Sequence, residues 1–173
     1  METIADYSAL RARLRAMTNS PAIIAIEGFT TAGKSYLADS LGEDFFGSVV
    51  LHTDDYVTGT DETLPYIDRI DYRRLRRALA AASSGTVLID GICLRAVMRR
   101  LGITPTAFVY VKCIAAKTGL WHDGLHLEDF ESEKDGADRL FEPHRSDFFY
   151  HTNERPHERA DVVYCHFEPS DPA

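Results

Sequence analysis

The feature that most constrains this chain is Gly28-Phe29-Thr30-Thr31-Ala32-Gly33-Lys34-Ser35, a G-x-x-x-x-G-K-S pattern. Ahead of it stands Ala22-Ile23-Ile24-Ala25-Ile26, an apolar run of buried-strand length. Behind it Tyr36-Leu37-Ala38-Asp39-Ser40-Leu41 carries helical apolar spacing. Strand, glycine loop and helix in that order are the context a phosphate-binding loop requires. Glycine lets successive backbone N–H groups curl around an anion, and the helix start adds partial positive charge. The expected nucleotide contacts are Gly28, Thr30, Thr31, Ala32, Gly33, Lys34, Ser35 and Tyr36. Lys34 is expected to reach the β- and γ-phosphates, and the Ser35 hydroxyl to ligate Mg²⁺. A nucleoside triphosphate is therefore the expected ligand.

Composition narrows the partners. The chain has 173 residues, 45% of them apolar and 27% charged, which suits a single α/β domain with a sizeable core. Its formal charge of −8 argues against non-specific binding to nucleic acid or an anionic membrane. The first twenty residues carry Glu2 and Asp6 and no apolar core segment, and no apolar run reaches membrane-spanning length. Cys93, Cys113 and Cys165 are odd in number and widely spaced, which predicts buried, reduced thiols in a cytoplasmic protein.

Five short apolar strands are expected: the run before the loop, Val49–Thr53, Thr86–Gly91, Ala107–Val111 and Ala160–Cys165. Helical patterns lie between them, so the expectation is a parallel sheet covered on both faces. An amphipathic helix is predicted from about Ile4 to Met17. Another follows Asp71, with Leu75, Leu79 and Ala82 inward and Arg73, Arg74, Arg76 and Arg77 in solvent. Helices are also expected over Ile92–Leu101 and from Ala137 to about His151. Thr58 to Ile70 is expected to be a polar, mobile segment, and residues from about 115 to 140 a polar, lid-like one.

Ligands of open α/β sheets bind beyond the carboxyl ends of the strands. At that edge the second strand runs into Asp54-Asp55-Tyr56 and the third ends in Asp90. Asp90 suits a Mg²⁺ ion or its waters, and a second acid there suits proton removal from an attacking hydroxyl.

The loop, Leu51-His52-Thr53-Asp54-Asp55-Tyr56 and Ile89-Asp90-Gly91-Ile92 together resemble the uridine kinase and nicotinamide riboside kinase group. The resemblance covers residues 22 to 111 well and 150 to 166 loosely, the latter through Arg155-Pro156 and Ala160-Asp161-Val162-Val163. It implies a three-layer P-loop fold with strand order 2-3-1-4-5 and Asp54 as catalytic base beside Lys34. It also implies Asp71 as a contact to sugar hydroxyls, with Asp55 and Tyr56 further substrate candidates. The implied reaction is transfer of a γ-phosphoryl group from ATP, with GTP left open, to a hydroxyl of a small, nucleoside-like metabolite. A monomer or homodimer is expected, without nucleic-acid or membrane partners.

One departure stands out. Kinases of that group carry an arginine-rich lid after the fourth strand, but this chain has no arginine from Leu101 to Asp138. Lys117, Arg139 and Arg145 are the candidate replacements. The lid-like segment holds instead Trp121, suited to stacking or packing, and His122 and His126 at i, i+4 spacing. Two other functions fit the same residues: an antibiotic phosphotransferase of the chloramphenicol type, and a nucleotide-binding regulatory module with little turnover.

Overall fold

The structure is a computed structural model that describes residues 2–19, 21–59, 63–124, 127–128 and 140–167. It is a parallel sheet with helices packed on both faces. In chain order the elements begin with β1 (Glu2–Ile4), α1 (Tyr7–Met17), β2 (Ala22–Glu27), α2 (Lys34–Asp44) and β3 (Val49–His52). Two 3₁₀ turns, Thr53–Tyr56 and Tyr66–Asp68, lead to α3 (Tyr72–Ala81), β4 (Thr86–Gly91) and α4 (Leu94–Leu101). The chain then forms β5 (Ala107–Ile114), α5 (His144–Glu154), the short α6 (Pro156–Arg159) and β6 (Val162–Phe167).

Strand order is β1-β6-β5-β2-β4-β3, every pairing parallel. Without β1 this is the expected order, but the sheet has six strands rather than five. The additional strand comes from residues assigned in sequence to the first helix and its approach. Glu2, Thr3 and Ile4 pair with Val162, Val163 and Tyr164, and of the three only Ile4 is buried. The helix starts at Tyr7 instead, where the Asp6 carboxylate accepts the Ala9 N–H at 2.7 Å as an N-cap.

The period of two along β2 divides the core. Ile24 and Ile26 face Leu10 and Leu14 of α1 and Leu37, Ala38 and Leu41 of α2. Ala25 faces the opposite layer, with Leu75 and Leu79 of α3, Leu94 and Val97 of α4 and Tyr150 of α5. Complete burial of a side chain such as Leu10 or Leu75 contributes about 1.5–3 kcal/mol.

Of the segment expected to be polar and mobile, residues 60–62 lie outside the described residues, and the described part is tied to the core. Val57 bridges Ile70, and Tyr66 packs into the core at 3% exposure. Helix α5 begins at His144, and residues 140–143 before it are not helical; residues 129–139, with the expected start at Ala137 and with Arg139, lie outside the described residues. All three cysteines stand outside any disulfide, but only Cys93 is buried; Cys113 and Cys165 are half-buried. Among the described residues no helix is long and apolar enough to cross a membrane.

Candidate active site

The loop between β2 and α2 closes over the carbonyl of its second residue, Phe29. Ala32 N–H donates to Phe29 O at 3.0 Å, and the Lys34 ammonium donates to the same oxygen at 2.6 Å. Gly33, the residue before the helix, has φ 85°, a left-handed backbone that glycine adopts without steric cost. Thr31 has φ 69°, which a β-branched residue takes only when its surroundings enforce it. Lys34 is 8% exposed, and burial pushes its ammonium below the ordinary lysine pKa. The carboxylates of Asp147, Asp90, Asp54 and Asp123 push it back.

β3 and β4 deliver the acids beside the loop. Ser35 Oγ donates to Asp90 Oδ2 at 2.7 Å, and His52 Nδ1 meets Asp90 Oδ1 at 2.5 Å. Asp90 is buried, which raises its carboxyl pKa, while the Ser35 hydroxyl and His52 hold it down. Partial burial works against the His52 imidazolium, yet Asp90, with Asp39 and Asp55 adding, carries its pKa above the ordinary value. Gly91 is required by this packing: a Cβ there would stand 1.8 Å from Thr53 Oγ1.

Asp54 is exposed, and one of its oxygens accepts the Tyr66 hydroxyl at 2.6 Å. Tyr66 OH also meets Thr53 Oγ1 at 2.8 Å, and burial together with Asp54 raises its pKa strongly. Thr30, Thr31, Gly33, Lys34, Ser35 and Tyr36 share with Asp54 one cleft of about 270 Å³. The cleft therefore joins a buried ammonium, an exposed carboxylate and the Ser35 hydroxyl, which reaches behind it to the buried Asp90. Lys34 is the one cation lining it among the described residues.

In fold, the chain is similar to a possible uridine kinase. That protein, from Bacillus stearothermophilus, superposes with a TM-score of 0.57 at 18% identity, covering 91% of this chain and 96% of its own. The resemblance expected from the loop and the strand ends therefore holds at the level of the fold. No protein-family model and no curated protein matches the sequence.

Within this uridine kinase-like fold the other predicted contacts fall differently. Tyr56 is buried in the α3–α4 layer with the Arg74 guanidinium over its ring at 4.7 Å, so the ring faces the core rather than the cleft. Asp71 is the N-cap of α3 and accepts the Arg74 N–H at 2.9 Å. Asp55 is exposed, and its carbonyl accepts from Arg74. Lys117 is exposed in the turn after β5, away from the lining of the loop cleft. Arg145 lines a separate cavity of about 490 Å³ together with Thr63, Cys93, Glu142 and Phe149. Ala32 is buried, and its carbonyl receives His166 Nε2 at 2.8 Å. Trp121 packs among Phe29, Tyr110 and His157 with the Lys112 ammonium 4.1 Å from its ring. His126 lies outside the described residues, and among those described no cluster of three or more His, Cys, Asp or Glu could hold a metal.

Three residues were absent from the sequence expectations: His52, Tyr66 and Asp147. His52 is adjacent to the Asp54 motif and is reachable from strand alternation. Tyr66 sits in Leu64-Pro65-Tyr66-Ile67, an apolar patch inside a polar stretch. Asp147 carries no local signal. Its carboxylate reaches the phosphate loop from α5, 117 residues away.

Proposed function

We propose that the protein is a small-molecule kinase that moves the γ-phosphoryl group of ATP, or of GTP, onto a hydroxyl of a nucleoside-like or other small metabolite. The observation that carries this reading is the single cleft shared by the loop residues Lys34 and Ser35 and the exposed carboxylate of Asp54. Lys34 and the loop amides hold the β- and γ-phosphates, and Asp54 accepts the proton of the acceptor hydroxyl. The acceptor oxygen then forms its bond to the γ-phosphorus while the bond to the β–γ bridging oxygen breaks, leaving the nucleoside diphosphate. Tyr66, through its hydrogen bond, keeps one Asp54 oxygen in place and leaves the other for the substrate.

Oxygen donors at Ser35 and Asp90 are of the type Mg²⁺ takes, and Mg²⁺ keeps few protein ligands when phosphates supply the rest. Mg²⁺ would draw charge from the phosphate oxygens there. The exposed Tyr36 ring borders the cleft and also a mainly apolar cavity of about 420 Å³ with Gly33, Tyr164, His166 and Phe167, suited to the flat face of a base. The 490 Å³ cavity lined by Glu142 and Ser146, which both accept from the Tyr66 N–H, has the size for an acceptor, and Arg145 and Phe149 offer it a cation and a ring.

The test is incubation of the protein and Mg²⁺ with γ-labelled ATP and separate panels of nucleosides, sugars and hydroxylated antibiotics. Label transferred to an acceptor is the expected outcome, and the panel that accepts it names the substrate class. Release of inorganic phosphate alone, or tight ATP binding with no turnover, overturns the kinase reading.

A further inference from the structure

Asp147 lies in the first half of α5 and is 1% exposed. One oxygen, Oδ2, accepts two hydrogen bonds from a single residue of the phosphate loop: Thr30 N–H at 2.7 Å and Thr30 Oγ1 at 2.9 Å. The other, Oδ1, is buried without a hydrogen-bond partner and lies 3.1 Å from His151 Nδ1. One turn on, His151 stacks on the Phe29 ring at 3.7 Å between centroids and 13° between planes. Its Nδ1 bonds the Asp147 carbonyl at 2.8 Å, and its Nε2 meets the Tyr110 hydroxyl at 2.8 Å. Helix α5 therefore grips two consecutive loop residues, Phe29 by its ring and Thr30 by backbone and side chain.

We propose that Asp147 is a positioning residue for the phosphate loop, fixing Thr30 so that the loop keeps its ligand-binding shape before a nucleotide arrives. The inference rests on the nucleotide-binding reading above. Its physical basis is the strain at the next residue. Thr31 holds a left-handed backbone, which costs a threonine roughly 1 kcal/mol or more and persists only where neighbours enforce it. The Ala32 N–H bond to the Phe29 carbonyl closes the turn on its helix side, and the doubly bonded Thr30 holds it from the strand side. Bonds to a carboxylate withdrawn from water are the stronger kind, so they suit this task. The preceding residue extends the grip: Ser146 Oγ accepts the Tyr66 N–H at 3.0 Å, and Tyr66 OH holds Asp54. Adjacent residues of one helix turn thus hold the phosphate loop and, through Tyr66, the carboxylate that faces it.

A buried carboxylate beside an anion cradle has an opposite role open to it, as a competitor that phosphate must displace. The two roles predict opposite signs. The experiment is calorimetric titration of ADP into the full chain as wild type, Asp147→Ala, Asp147→Asn, Thr30→Val and the Asp147→Ala/Thr30→Val pair, with the thermal unfolding of each recorded without nucleotide. Positioning predicts about tenfold or greater loss of ADP affinity in Asp147→Ala, the scale of lost bonds to a charged group. Asp147→Asn, whose amide oxygen still accepts from Thr30, is expected to recover most of it. Thr30→Val is expected to weaken binding by about threefold, and Asp147→Ala to cost less on that background than in wild type. Rescue by Asn together with coupling to Thr30 is a pattern that a general loosening of α5 does not give. Equal or tighter ADP binding by Asp147→Ala overturns the proposal, as do strictly additive effects. Should Asp147→Ala not fold, unchanged affinity in Thr30→Val overturns it. Failure of wild type to bind ADP overturns the nucleotide reading and this inference with it, whereas normal wild-type binding matched by Asp147→Ala overturns this inference alone.

Discussion

The phosphate loop and helix α5 meet at Thr30, yet they are built in opposite ways. The loop is held largely by its own neighbours: Ala32 and Lys34 both return to the Phe29 carbonyl, and Gly33 supplies the turn into α2. Helix α5 is held by buried polar contacts to distant parts of the chain. Asp147 reaches Thr30, Ser146 reaches Tyr66, and Tyr150 reaches Glu27 across 123 residues. Local closure makes the loop's turn legible within eight residues, and Asp147 is the remote group bonded to that turn at Thr30. Remote cross-links make the surroundings of that shape a property of the whole fold. Changes in the loop, its facing acid and its anchor Asp147 should therefore damage ligand binding and chemistry, and changes elsewhere on α5 should show first in stability.

The largest effect is expected at Asp54. Asp54→Asn keeps an oxygen for the Tyr66 hydroxyl but removes the proton acceptor, so phosphoryl transfer should fall by about 10²–10⁴-fold. ADP affinity, measured by calorimetry, should stay within a few-fold of wild type. Full kinase activity in this variant would remove Asp54 from the base role. Next comes Lys34→Ala, which takes the one cation from the cleft lining and should weaken ADP binding by at least about tenfold. The unfolding midpoint should change little or rise, because a buried ammonium surrounded by carboxylates is costly to desolvate. A large loss of stability with affinity unchanged would reverse the contrast between loop and helix.

On the α5 side, Tyr150→Phe isolates one cross-link. The Tyr150 hydroxyl donates to Glu27, which is 2% exposed and whose carboxyl pKa burial raises against the pull of Tyr150 and the Arg95 N–H. Removing the hydroxyl leaves a buried acceptor short of a donor and should cost about 1–3 kcal/mol in denaturant unfolding. ADP affinity should move by less than in Lys34→Ala. Equal losses in both measurements would mean that α5 and the loop respond as one unit.

The same division explains what could be read from residue order. Gly28–Ser35, Asp54 and Asp90 are legible because a strand end, a glycine loop and an acid follow one another within a few residues. The sheet order followed from resemblance, and the sixth strand escaped because Glu2-Thr3-Ile4 offers one apolar side chain at an edge. Tyr56 and Asp71 stood in motif positions, but core packing took one ring and helix capping the other carboxylate. Asp147 is one acid in a helix of mixed polarity, and nothing in its immediate sequence distinguishes a buried loop anchor from a solvated side chain.

The smallest effect concerns His157, at the start of α6, where buried polar groups again do the work of packing. Its ring lies against Trp121 at 5.1 Å and Tyr110 at 5.8 Å, with Nδ1 buried and without a hydrogen-bond partner. Burial first, then Lys112 and His151, push its pKa from 6.5 down to about 4. A histidine depressed in the folded state binds its proton more readily when unfolded. Stability is therefore complete above pH about 6.5 and declines as pH falls from there toward about 4, where the folded form also protonates. Because the ring is partly solvated, the loss assigned to this residue across that window is about 1 kcal/mol. His157→Phe fills the same space without a titrating group, so denaturant unfolding at pH 7 and at pH 4.5 should show a smaller drop for the variant than for wild type. Parallel losses in both proteins would place the acid sensitivity elsewhere, and the buried carboxylates around the loop would be the next groups to test.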